Sequence, residues 1–114
     1  GNDNIAFSAE VLTSKMSLRE GNDQVTLSDF SGSIYGGTGN DTVIQASANR
    51  NIKEALIRGD SGNEYLSLEN IDNTIINTNT DDDTVSISGV MNDSQIYGGR
   101  QKDTIDINSA NNSC

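Results

Sequence analysis

Acidic side chains close a series of short turn-like segments at Asp3, Asp23, Asp41, Glu64, Asp83 and Asp103, with gaps of 20, 18, 23, 19 and 20 residues. Carboxylates spaced this way offer two chemistries. Paired on an outer surface they can do general acid/base work on a glycosidic bond. At chain corners they accept hydrogen bonds from backbone amides two residues on and so hold a turn. Other chemistries lack their residues: the chain has no His, Pro or Trp, and its single Cys is Cys114 at the very end. Zinc sites and Cys/His nucleophiles of the usual kinds are thereby nearly excluded, and one terminal thiol cannot close an internal disulfide. Seven Lys and Arg against 17 Asp and Glu, a net charge of −10, argue against nucleic-acid phosphate as a ligand.

The period of the acids is that of a structural repeat. Gly1-Asn2-Asp3, Gly21-Asn22-Asp23 and Gly39-Asn40-Asp41 are full copies of the turn, Gly62-Asn63-Glu64 is a near copy, and Asp81-Asp82-Asp83 and Gln101-Lys102-Asp103 are degenerate. Apolar residues recur at fixed offsets from the acid. Two positions on stand Ile5, Val25, Val43, Leu66, Val85 and Ile105; four on stand Phe7, Leu27, Gln45, Leu68, Ile87 and Ile107, with Gln45 the exception. Seven on come Phe30, Ala48, Ile71, Val90 and Ala110, and seven before come Met16, Ile34, Ile57, Ile76 and Ile96. Offsets of two and four are strand alternation, so each repeat opens with a strand whose alternate side chains point inward. The column before the turn predicts a second short strand.

One such repeat cannot bury its own apolar face, but stacked repeats can. The predicted fold is all-β: a right-handed parallel β-solenoid of about five coils of roughly 20 residues, a rod about 25 Å long. Residues 1–114 form a single solenoid domain, expected to be a segment of a longer repeat protein or a unit whose ends meet other subunits. Independent hairpins would alternate too, yet they do not require one offset pattern to recur along the whole chain. Disorder is the other reading of so acidic a composition, but a disordered chain has no reason to sort its 25 Leu, Ile, Val and Phe into columns. No apolar run is long enough to span a bilayer as a helix. Between Asp41 and Glu64 the repeat lengthens to 23 residues, and the extra stretch, 48–56, is expected to form a helical turn or a bulged loop at one corner.

Ile34-Tyr35-Gly36-Gly37-Thr38-Gly39-Asn40-Asp41-Thr42-Val43 resembles the calcium-binding nonapeptide of the repeats-in-toxin family, Gly-Gly-x-Gly-x-Asp-x-apolar-x. In that family calcium ions sit in the turns between coils of a parallel β-roll. The resemblance implies carbonyl ligands from Gly37 and Gly39 and a carboxylate from Asp41, with Asp60 in the partner turn and Asp23 in the preceding copy as further oxygen donors. Calcium suits such a set of hard oxygens. The other turns depart from the pattern: Arg100 and Lys102 stand where a cation would sit, and the opposite corner, at 28–33 and 88–93, lacks the glycine pattern. Two readings of the acidic column therefore remain, metal-free stacked turns and at least one bound Ca2+.

A thin, stacked core with few aromatics points to a non-catalytic structural or adhesive module of an extracellular, cell-surface or virion-fibre protein. Its expected partners are neighbouring repeats or subunits on the solenoid ends, together with a surface glycan or protein, and neither nucleic acid nor membrane insertion. The alternative is an accessory or catalytic β-helix module of a polysaccharide-processing enzyme. The outward column at Thr26, Ile44, Ser67, Ser86 and Asp106 offers it a single carboxylate. Ice binding would need a flat threonine array, which Asn4, Gln24 and Tyr65 interrupt.

Overall fold

The computed structural model describes residues 4–6, 11–45, 51–99 and 102–111. They build a β-solenoid of about four turns, slightly fewer than the five coils expected, in which every neighbouring pair of strands is parallel and no helix occurs among the described residues. Each full turn has three faces rather than the two strands anticipated. The first face stacks β1 (Asn4–Ala6), β3 (Gln24–Leu27), β5 (Thr42–Gln45), β8 (Tyr65–Leu68) and the starts of β11 (Thr84–Asn92) and β13 (Thr104–Asn111). The second stacks the start of β4 (Phe30–Tyr35), β6 (Asn51–Lys53), β9 (Asn70–Asp72) and the end of β11. The third stacks the end of β2 (Val11–Ser17), the end of β4, β7 (Leu56–Arg58), β10 (Ile75–Asn77) and β12 (Gln95–Tyr97).

The register places like on like. Ile5, Val25, Val43, Leu66, Val85 and Ile105 are successive ladder partners on the first face, and Met16, Ile34, Ile57, Ile76 and Ile96 on the third. Because alternate strand residues point to opposite sides, in-register pairing turns each sequence column into a wall of the core. Val25, Leu27, Phe30, Ile34, Ile57, Leu66 and Ile76 are all buried in one cluster. Sliding one strand by one residue would turn its entire apolar set outward, which is why so thin a core still fixes the fold.

The second face corrects two expectations. Its inward column runs Phe30, Ile52, Ile71 and Met91. Ile52 holds the position expected of Ala48, which lies outside the described residues, and Met91 is buried where Val90 is only partly so. The long repeat is absorbed before β6: its Asn51–Lys53 strand pairs with β4 and β9 like any other rung, so 51–53 are neither helix nor loop. β-Branched Ile52, fully buried, has the inward slot a strand needs, and Ala48 would leave a smaller side chain in it.

Gln45 interrupts an apolar column without opening the core. It is buried; its Nε2 donates to the Ser28 carbonyl at 3.1 Å, and its Oε1 accepts from the Glu69 N–H. One amide thus ties the coil before it to the coil after it, satisfying the rule that buried polar groups be hydrogen-bonded. The corner between the second and third faces works similarly: buried Thr74 donates its hydroxyl to the Asp72 carbonyl at 2.9 Å, and its N–H donates to Ser94 Oγ at 3.0 Å.

Candidate functional site: a buried carboxylate ladder

The corner joining the third face to the first carries the repeated Gly-Asn-Asp turn. Its backbone visits the left-handed region twice. Four residues before the acid, Arg19, Gly37, Asp60, Asn79 and Gly99 have φ of 72°, 86°, 73°, 70° and 82°. Two residues before it, Gly21, Gly39, Gly62 and Asp81 have φ of 120°, 109°, 113° and 79°. At Gly39 and Gly62 glycine is required twice over: φ is unfavourable for side chains, and a Cβ would fall on the carbonyl oxygen of the equivalent glycine one coil earlier, Gly21 or Gly39. The coils approach so closely that Gly39 N–H donates to the Ser61 carbonyl and Ser61 N–H to the Gly37 carbonyl, both at 3.1 Å.

Each remaining letter of the turn builds its own ladder. The Asn column is exposed and runs from coil to coil by side-chain acceptance: Asn40 N–H to Asn22 Oδ1 at 2.7 Å, Asn63 N–H to Asn40 Oδ1 at 2.8 Å, Asp82 N–H to Asn63 Oδ1 at 3.0 Å and Lys102 N–H to Asp82 Oδ1 at 3.0 Å. The acid column is buried. Asp23, Asp41, Glu64 and Asp83 are each no more than 3% exposed. Asp41 Oδ1 accepts from Asp23 N–H at 2.9 Å, Asp83 Oδ1 from Glu64 N–H at 2.9 Å and Asp103 Oδ1 from Asp83 N–H at 3.1 Å. The Asp81-Asp82-Asp83 run, which in sequence looks like a patch of mutual repulsion, is divided among three ladders, since Asp81 Oδ2 accepts from Gly62 N–H at 3.0 Å.

One rung of the buried ladder is left open. Asp41 N–H should donate to the acid of the next coil, but that acid is Glu64, one methylene longer. Both Glu64 oxygens are buried with no donor at hydrogen-bonding geometry, and so are the second oxygens of Asp41 and Asp83. Beneath them lie the glycines five residues before the acid: a Cβ on Gly36 or Gly59 would run into the Asp41 or Glu64 carboxylate. The shelf on which the carboxyl groups rest is bare backbone.

Electrostatics follow from this enclosure. Burial pushes the Asp41 carboxyl up to about 6, with Asp23 N–H pulling it down and the Asp23 charge adding to the rise. Glu64 is pushed up to about 9, first by burial and then by the charges of Asp83 and Asp41, while Asp41 N–H pulls only weakly the other way. Asp83 is raised by burial, against the Glu64 N–H and the Thr78 hydroxyl, which favour its ionised form. No cationic side chain contributes to any of the three.

The residues expected to hold calcium divide between inside and outside. Asp41 and Asp23 belong to the buried ladder. Gly37 and Asp60 occupy equivalent positions in successive coils, but the Asp60 carboxylate meets Arg58 Nη2 at 3.3 Å and Asn79 Nδ2 at 3.1 Å. The Gly37 carbonyl accepts from Ser61 N–H, and the Gly39 carbonyl lies beneath Gly62. Among the described residues no three Asp, Glu or Cys side chains converge as a metal-binding group. Glu64, Asp83 and Asp103, read from sequence as a near copy and two degenerate ones, prove to be rungs of the same ladder. The signal was there: the acid persists where the glycine and asparagine of the turn are lost.

Protein-family models, curated proteins and solved structures show no match to this chain.

Proposed function

We propose that the chain is a non-catalytic structural or adhesive repeat module of an extracellular or surface-exposed protein. The observation that carries this reading is the register: apolar residues stack on apolar along the inward columns, so the sequence is spent on making a regular stack of coils. The acids that might have served a hydrolase support it as well. They are enclosed, with Asp41 and Asp83 tied to backbone amides, whereas acid/base work on a sugar needs carboxyl groups open to substrate.

Adhesion would use the third face. Its outward columns run Ser17, Tyr35, Arg58, Asn77 and Tyr97 in one line and Lys15, Ser33, Leu56, Ile75 and Gln95 in the other. Lys15 Nζ and the Arg58 guanidinium lie 5.3 and 5.9 Å from the Tyr35 ring centre, the range of cation–π attraction. Ile75 and Tyr97 are exposed. In a chain of net charge −10 this face, which mixes aromatic, apolar and basic side chains with Ser, Asn and Gln and has no acid in either column, is distinct in character, and glycan or protein surfaces are the partners that suit it. The test immobilises the chain and measures capture of cells or glycans by the native protein and by Ile75→Ser/Tyr97→Ser. Loss of capture at unchanged melting temperature supports the reading. Undiminished capture, or polysaccharide cleavage by the native chain, refutes it.

A further inference from the structure

We propose that the third face is the binding surface for an acidic polysaccharide of the uronate class, laid along the solenoid axis with Lys15 and Arg58 on its carboxylates and Tyr97 against its rings. The inference deepens the adhesive reading and rests on it.

The distribution of charge selects an anion. The chain carries 17 Asp and Glu, yet neither outward column of the third face contains one. The other faces do: the second sets Asp72 beside Lys53, and the outward column of the first reaches Asp106. Against that acidic background the third face presents two exposed cations, Lys15 and Arg58. They belong to the coils before and after Tyr35, and both charged heads are held at its ring, 5.3 and 5.9 Å from the centre. An acid-free strip with paired cations, on a molecule of net charge −10, is complementary to a negatively charged partner. Asp60 meets the Arg58 guanidinium at Nη2, 3.3 Å away; it orients the fork, leaves its other donors for a ligand and offsets part of its charge. What the strip can neutralise is therefore a sparsely charged chain.

The register selects the kind of chain. Lys15, Arg58 and Tyr97 stand on alternate coils, so their positions are about 10 Å apart along the axis, two strand spacings each time. An extended chain of β-linked pyranoses alternates in the same way: neighbouring rings are flipped, and like edges recur on every second sugar. Between the three anchors Ser33, Asn77 and Gln95 bring hydroxyl and amide groups for the sugar hydroxyls. Asn77 Oδ1 accepts from Asn79 N–H at 3.1 Å and Gln95 Oε1 from the Tyr97 hydroxyl, which leaves each amide its NH2 to donate. Tyr97 and Ile75, 49% and 44% exposed, offer apolar surface to the C–H faces of the rings. A protein partner would want a continuous apolar patch, and the same polar residues interrupt it. A sulfated polymer brings more charge per sugar than two cations can match, one of them already shared with Asp60. One carboxylate per sugar fits both the charge and the spacing.

The test is biolayer interferometry of the whole chain, in chelator, against mannuronate-rich alginate, its propylene glycol ester and dextran sulfate. Alginate should bind, the neutral ester should bind at least about tenfold more weakly, and high salt should abolish the difference. Lys15→Gln/Arg58→Gln should weaken alginate binding about tenfold, the worth of two exposed charge contacts. Gln95→Glu keeps the shape of the face, adds a negative charge to it and should also weaken binding, which covers the case of a double variant that fails to fold. Lys53→Gln, on the second face, makes the same change in net charge as Gln95→Glu and should leave affinity within about twofold. The inference is overturned by an ester bound as tightly as the acid, by dextran sulfate bound in preference, by no polymer bound at all, or by Lys53→Gln acting as strongly as the third-face variants. The adhesive reading keeps its own test in Ile75→Ser/Tyr97→Ser, so capture of neutral glycan or of protein through this face would remove the acidic partner and leave the adhesive surface standing.

Discussion

Replacing Glu64 by Gln should stabilise the protein, and the gain should grow with pH. Glutamine has the shape of the neutral acid, keeps a donor that can face Asp83 and needs no proton. In the unfolded chain Glu64 ionises near its ordinary value of 4.5, whereas in the ladder it holds its proton up to about 9. At pH 7 the native protein must therefore protonate a group lying about 2.5 units below the ambient pH, which costs about 3 kcal/mol at roughly 1.4 kcal/mol per unit. Gln removes that cost. At pH 4.5 the difference shrinks to about 0.4 kcal/mol, because the unfolded side chain is then half protonated. For a domain of this size about 3 kcal/mol corresponds to roughly 10 °C in melting temperature. The assay is urea unfolding of both proteins at pH 4.5, 7 and 8.5, with the slope of free energy against denaturant checked for constancy. A Gln variant less stable than the native protein by the same amount at all three pH values would refute the reasoning, because Glu64 would then be acting through its shape or its negative charge.

Core and corner make further predictions. Val43→Ala, in the middle of the first inward column, should cost about 2 kcal/mol in chemical unfolding, whereas Thr42→Ala on the outward side should cost under about 0.5 kcal/mol; equal losses would overturn the inward assignment. Gly62→Ala should lose more than about 3 kcal/mol or fail to fold, since it adds strain at φ 113° to a clash with the Gly39 carbonyl, and circular dichroism melting reads the outcome. Gln45→Ala should cost about 2 kcal/mol by leaving the Ser28 carbonyl and the Glu69 N–H without their shared partner. Millimolar calcium should leave the melting temperature within about 1 °C of its value in chelator, because a ligand specific to the folded state would raise it by mass action; a larger rise would restore a calcium site at this corner.

The fold was legible because a solenoid writes its contacts as a period. Val25, Val43, Leu66 and Val85 share an offset in sequence and a ladder in space, so aligning the copies already aligns the strands. What escaped was whatever breaks the period. The second face was blurred by the long repeat, whose extra residues shift Ile52 four places from the offset that Phe30 and Ile71 share. Met91 was hidden by a one-residue irregularity in β11. An apolar alphabet also reads Gln45 as a flaw, since only the neighbouring coils reveal the two backbone groups that it satisfies.

The corner was legible in its letters but not in its direction. Gly37 and Gly39 are where left-handed backbone is needed, and the same need brings Asp60, Asn79 and Asp81 into equivalent slots. A glycine pattern therefore reports the path of the chain, and it would do so with or without an ion between the coils. Whether Asp41 looks out at solvent or in at the core depends on the shelf beneath it, and that shelf is made by Gly36 and Gly59 one strand away. Once the acids are turned inward, their identity begins to matter. Asp41, Asp83 and Asp103 are short enough to take an amide from the coil before; Glu64 overshoots, forfeits that rung and is left with other acids for company. The single substitution of Glu for Asp in the column is thus the point at which a hydrogen-bonded corner becomes a titratable one.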